Sequence, residues 1–171
     1  RHVFGLFDPQ GIQLRSFGVP TEETREAIAG AIDAFVSAGD QWGEGYGLIT
    51  LGILAASEGD IEEATAYHRR TLDLARQFRN DNLIGQAFTQ LGVTALAGGE
   101  MAAAGRHLAE AGRVFAARGY REGIAYVYEG AAALHLQTGD TQAGMLALGA
   151  AEEIRRRLQL HPWPATAWFS Q

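Results

Sequence analysis

The sequence predicts an all-α fold, a right-handed superhelical stack of antiparallel helix pairs with about seven helices. Three observations predict it. The pattern returns at a step of 40 residues: Leu51-Gly52 recurs as Leu91-Gly92, and Gly59-Asp60 recurs as Gly99-Glu100 and Gly139-Asp140. Glycine stands where helices should stop, at Gly39, Gly59, Gly99, Gly119 and Gly139; there it can turn left-handed without a Cβ penalty. Small residues hold fixed phases against large ones, and a single helix pair cannot bury its apolar face alone, so the pairs must stack.

Residues 1–20 break the pattern. Val3 to Phe7, then Asp8-Pro9-Gln10-Gly11, then Ile12 to Phe17 read as a β-hairpin, with Pro and Gly where a type I turn wants them. It is expected to pack on the helices, or to be a remnant of a neighbouring domain. Residues 21–160 are the repeat domain. A helix from Glu22 to Ala38 reads as the second half of an earlier repeat. First helices follow at Trp42 to Glu58, Asn82 to Ala97 and Arg121 to Thr138. Their second helices run from Ile61 to Arg79, Met101 to Arg118 and Thr141 to Leu158. Asp60 and Thr141 suit N-cap or first-turn positions, and Glu63 follows Asp60 as in a capping box. Gly52, Ala64, Gly92, Ala104, Ala132 and Gly144 are expected where paired helices approach closely. Leu48, Leu51, Phe88, Leu91, Leu108 and Leu148 would fill between layers. Residues 161–171, HPWPATAWFSQ, carry two prolines that stop the last helix. Trp163, Trp168 and Phe169 are expected to cap the stack, or to form an interdomain contact.

The small-residue and Leu-Gly pattern resembles the tetratricopeptide repeat in a longer form of about forty residues. More narrowly, GDIEEATAYHRRTLDLARQF, REGIAYVYEGAAALHLQTGD and LGAAEEIRRRL resemble the C-terminal repeats of actinobacterial LuxR-type, ATPase-linked transcriptional regulators. The resemblance covers Glu22 to Leu160. It implies a sensory or protein-interaction role beside an ATPase and a DNA-binding helix-turn-helix, neither of which is in this chain.

Composition excludes several classes. Hydrophobic residues make up 47% of the 171, ample for a core. The 14 basic residues are all Arg, and with 20 acidic residues the net charge is −6. That charge lacks the positive field that holds a phosphate backbone, so no direct nucleic-acid contact is expected. Without Cys there is no disulfide, thiolate metal site or cysteine nucleophile. The longest apolar run, Gly47 to Ala56, is too short for a bilayer. No signal peptide is evident, and the chain opens on Arg1, so a fragment of a longer cytoplasmic protein is expected.

First helices are expected to line a concave binding surface. The phase places Tyr46, Ile49 and Ile53, then Gln86, Thr89 and Val93, then Tyr126, Glu129 and Ala133 on it. This mixed surface suits a peptide or modest organic ligand; the competing expectation packs Ile49, Ile53 and Val93 against neighbouring helices. His2, His68, His107, His135 and His161 show no metal-ligand spacing, and His135 is expected buried and neutral between paired helices. GEGYG at Gly43 to Gly47 lacks the Lys-Ser/Thr of a phosphate loop and is read as close helix approach. Glu62-Glu63 and Glu152-Glu153 share no helix face, so neither is a catalytic dyad. Arg155, Arg156 and Arg157 complement a helix dipole; an anion site is the alternative.

The expected function is therefore non-catalytic: a domain that binds a protein segment, peptide or small effector within a larger bacterial regulator. A scaffold or self-association module is the alternative, and an enzyme a third. No cofactor, metal or membrane partner is expected, while a homo-oligomer is consistent with the exposed repeat end.

Overall fold

A computed structural model describes residues 21–159. The expected hairpin and the C-terminal cap lie outside those residues. Within them are seven helices: α1 (Thr21–Ala38), α2 (Gln41–Glu58), α3 (Ile61–Gln77), α4 (Asp81–Ala97), α5 (Met101–Arg118), α6 (Arg121–Gln137) and α7 (Thr141–Leu158). Each packs on the next, and α4 also touches α2 and α6, so the first helices of successive pairs line one face. The all-helical stack is as the forty-residue step predicts. None of these helices is long and apolar enough to cross a membrane.

A left-handed residue ends a helix every twenty residues. Gly39, Gly59, Gly99, Gly119 and Gly139 have φ of 69°, 90°, 78°, 68° and 85°, and Arg79 and Gln159 complete the series at 54°. Glycine is absent at 79, which is why the sequence reading carries α3 two residues past its observed end at Gln77. The residue after the turn is the N-cap of each helix from α2 to α7, and at four of these six positions its side chain caps. Asp40, Asp60, Asn80 and Asp140 all accept backbone N–H bonds from the following turn. Asp140 is thus the cap and Thr141 the first helical residue. The capping box at Asp60 is half-formed: Asp60 Oδ1 accepts from the Glu63 N–H at 2.9 Å. The Glu63 carboxylate instead accepts from Arg25 of α1 at 2.8 and 3.1 Å. Arg25 also pairs with Glu58, which ties α1 to the first full pair.

Layers meet along a seam where one partner is small. Gly43 and Gly47 of α2 have no room for a Cβ, because Phe35 and Ile32 of α1 lie against them. Forty residues on, Ala75 packs with Leu83, and Leu72 with Ala87. Forty further, a Cβ on Gly123 would meet Phe115 at 2.5 Å, and one on Gly112 would lie 3.5 Å from Val127. Large and small exchange sides, but each pair keeps one of each. Close packing demands this, because interiors tolerate neither voids nor overlap. The six small residues expected at close approaches are all buried.

Two histidines depart from expectation. His135 is not buried: its side chain is 42% exposed, with Nδ1 3.8 Å from Asp140. The same position one repeat earlier is Ala95 and two earlier the fully buried Ala55, so an imidazole there must turn outward. The buried histidine is His68, 0% exposed, with its ring over Gly52. Neither ring nitrogen has a hydrogen-bond partner among the described residues. Burial pushes its pKa down to about 4, so the ring is neutral in the fold. Its equivalent in the next repeat is Leu108, which packs on Gly92 in the same way.

The unfolded chain therefore binds a proton at His68 that the folded chain refuses between pH 6.5 and 4, and stability contributed at neutral pH is lost as pH falls through that window. The full loss is roughly 3 kcal/mol at one pKa unit per 1.36 kcal/mol. His68→Leu should remove it; urea titrations of both proteins from pH 7 to 4 should show the gap widening as pH falls, and a constant gap would refute the assignment. Arg79 is exposed and left-handed. Arg79→Gly should raise unfolding stability by about 1 kcal/mol at any pH, the usual cost of a Cβ in that conformation.

Candidate functional site

Two columns of side chains, each stepping by forty residues, make a cleft on the first-helix face. One is Trp42, Asn82 and Glu122; the other, one helical turn on, is Tyr46, Gln86 and Tyr126. Residues i and i+4 share a helix face, so each layer presents a pair. Phe115, Tyr120, Arg121 and Leu158 close the sides, and the cleft holds about 510 Å³. That lies within the range of small-molecule and peptide sites.

Each pair is internally fixed. The Trp42 and Tyr46 rings lie 4.4 Å apart between centroids at 35°. Gln86 Nε2 donates to Asn82 Oδ1 at 2.5 Å, which leaves the Gln86 carbonyl and the Asn82 amide N–H groups for other partners. The Tyr126 hydroxyl donates to Glu122 Oε1 at 3.3 Å. Burial, with Glu122 adding to it, raises the Tyr126 hydroxyl to about 12, so it remains a donor at neutral pH. Trp42 keeps 53% of its surface exposed, an indole available to an incoming apolar group.

Beneath Tyr126 lies an ion pair. Arg155 of α7 donates from Nε to Glu129 Oε1 at 2.7 Å, and its guanidinium carbon is 5.2 Å from the Tyr126 ring centroid. The two side chains are 4% and 11% exposed. Burial pushes the Glu129 carboxyl up, to about 7, against the pull of Arg155 that favours the carboxylate. The corresponding seam positions in the first pair are Ile49 and Ala75, which share an apolar cluster. The ion pair thus replaces an apolar contact.

Of the residues expected in the groove, the cleft gathers Tyr46, Gln86 and Tyr126. Ile49 is 4% exposed and packs with Ala75 and Leu83, with Ile53 against that cluster. Thr89 is 6% exposed and donates its hydroxyl to Gly85 O at 2.9 Å. Val93 and Ala133 are half-buried and, like Glu129, do not line the cleft. The 49, 89 and 129 column points into the seam with the second helices, so the open face is displaced one turn towards the helix starts. Trp42, Asn82 and Glu122 were legible in the forty-residue step but require the angle between layers to be chosen.

The chain matches no model of a known protein family. No curated protein matches it either.

The remaining motifs resolve locally. Gly43, Gly45 and Gly47 face Phe35, Leu83 and Ile32, so GEGYG is close helix approach. Arg155 to Arg157 do not form one basic surface: Arg155 turns inward, while Arg156 and Arg157 pair with Glu153 outside. No cluster of three or more His, Asp or Glu able to hold a metal occurs among the described residues.

Removing one member of a buried ion pair is costlier than replacing both. Glu129→Ala should destabilise the domain by about 3 kcal/mol, whereas Glu129→Ile with Arg155→Leu should stay within about 1 kcal/mol of the original. Chemical denaturation of the three proteins at pH 7.5 decides it; equal losses in the single and double variants would mean that the pair is not the source.

Proposed function

We propose that this domain is a non-catalytic receptor for an extended protein segment or a modest organic effector, bound in the cleft between Trp42 and Tyr126. The observation that carries this reading is the repetition of a paired contact set over three layers: Trp42 with Tyr46, Asn82 with Gln86, Glu122 with Tyr126. Aromatic faces alternate with amide groups along the cleft, which suits a chain that offers apolar side chains and backbone polar groups in turn. The mixed polar lining is poorly matched to a polyanion, given the net charge of −6.

The resemblance of the repeats to those of large bacterial transcriptional regulators supports a sensory or interaction role within such a protein. Self-association is the weaker alternative. Its support among the described residues is the exposed Met145 and Leu146 of α7, two side chains without the depth of the cleft.

Panning a random peptide library on the purified domain, followed by calorimetric titration of the selected peptides, tests this. Tyr46→Ala and Tyr126→Ala should each weaken binding about tenfold, roughly 1.4 kcal/mol, with helicity unchanged by circular dichroism. Unaltered affinity in both variants would place the ligand elsewhere.

A further inference from the structure

α3 and α5 both pack on α4, and not closely on one another, which leaves a groove between these two second helices. Phe88 of α4 is half-buried at its floor. The His107 ring of α5 stacks on Phe88, with 6.1 Å between centroids and 28° between planes. From the other wall, the guanidinium carbon of Arg76 in α3 stands 5.7 Å from the Phe88 centroid. Arg69 lies two turns before Arg76 on the same face of α3, and Leu72 between them packs into the cluster that holds Phe88. Arg106 precedes His107 on the opposite wall.

Arg69, Arg76 and Arg106 are all exposed, and none forms an ion pair among the described residues. Arg25, Arg113, Arg118 and the three arginines of α7 all do. The local field is positive. Burial is the largest influence holding His107 below its ordinary pKa; Arg106 and Arg69 come next, and Glu100 opposes them by less. Arg69 therefore acts across the groove on the far wall. Asp73 shares the α3 face with Arg69 and Arg76, while Glu110 is engaged by Arg113. A chain of net charge −6 thus carries a patch of the opposite sign.

Packing does not require that patch. One repeat on, Ala109, Ala116, Leu146 and Ala147 stand at the positions of Arg69, Arg76, Arg106 and His107, with Tyr128 in place of Phe88. The scaffold closes there without a single charge at these positions, so the fold does not account for the arginines.

We propose that the groove between α3 and α5 binds an acidic protein segment through Arg69, Arg76 and Arg106. Seven residues of helix separate Arg69 from Arg76 by about 10 Å. With Arg76 held over Phe88, the two guanidinium groups present separate sites rather than one. An extended chain with acidic residues three apart matches that interval at about 3.3 Å per residue. A long polyanion such as RNA is disfavoured by the net charge of −6. Phe88 lies about 200° around α4 from Gln86 of the cleft, so the assignment does not rest on what the cleft binds.

The probe is a fluorescein-labelled peptide of four Glu-Gly-Ser repeats, read by anisotropy on the whole chain, with the Gln-Gly-Ser peptide as its neutral control. The glutamate peptide should bind and the glutamine peptide should not. Arg69→Gln, Arg76→Gln and Arg106→Gln should each weaken binding about threefold and together about thirtyfold, in line with exposed charge pairs. Arg156→Gln, which removes an arginine paired with Glu153 on α7, should leave it unchanged. On the unsubstituted chain, bound peptide should raise the pKa of His107 in an NMR titration, because a carboxylate beside the ring favours its charged form. Absence of binding, equal loss with Arg156→Gln, or a His107 titration that the peptide leaves unmoved would overturn the proposal. So would displacement of the peptide by equimolar inorganic phosphate, or tighter binding of a short uridine oligonucleotide, which would assign the groove to a lone phosphate or to RNA.

Discussion

Everything in this molecule depends on how closely one helix pair can approach the next. The seam between layers admits one large and one small side chain at each contact, and the exchange of sides from Phe35·Gly43 to Ala75·Leu83 to Phe115·Gly123 preserves the spacing while the sequence changes. A ring such as Phe115 gains its contacts only because Gly85 and Gly123 lie on both sides of it. The twenty-residue spacing of left-handed turns serves the same end. It keeps every helix nearly the same length, so the columns remain aligned from layer to layer.

Against that apolar register, two polar substitutions stand out. His68 occupies a position that is leucine in the next repeat, and it is buried without a hydrogen-bond partner among the described residues. Such a group weakens the fold and makes its stability sensitive to pH. The Glu129–Arg155 pair differs because its charges compensate one another. It lies under Tyr126 and so joins the floor of the cleft to the last helix. A change in either member would be felt at the Tyr126 ring, whereas a change at His68 would be felt against Gly52 in the first full pair.

The cleft follows from the stack rather than from any single element. Each first helix contributes one i, i+4 pair, and the pairs differ chemically: two aromatics, two amides, a phenol beside a carboxylate. The scaffold repeats while the lining does not. Packing restricts the seam columns to complementary sizes, but nothing in packing restricts the open face, so that is where specificity can reside.

The sequence by itself determined the helices, their order and, except at the end of α3, their ends to within a residue, because the forty-residue step, the glycines and the caps are local or periodic signals. It also located the column of Tyr46, Gln86 and Tyr126. Only the tertiary structure decided which neighbouring column completes the cleft. Ile49, Thr89 and Glu129 share helices with the cleft residues, yet face the seam, because the rotation of a first helix against its neighbours is set by packing across layers. The same limit applies to the polar residues. The sequence could not distinguish His135, which has room to turn outward, from His68, which lies sealed over Gly52. Nor could it separate Arg155 from Arg156 and Arg157. One side chain of three enters the interior because a single carboxylate on another helix, 26 residues earlier, waits there.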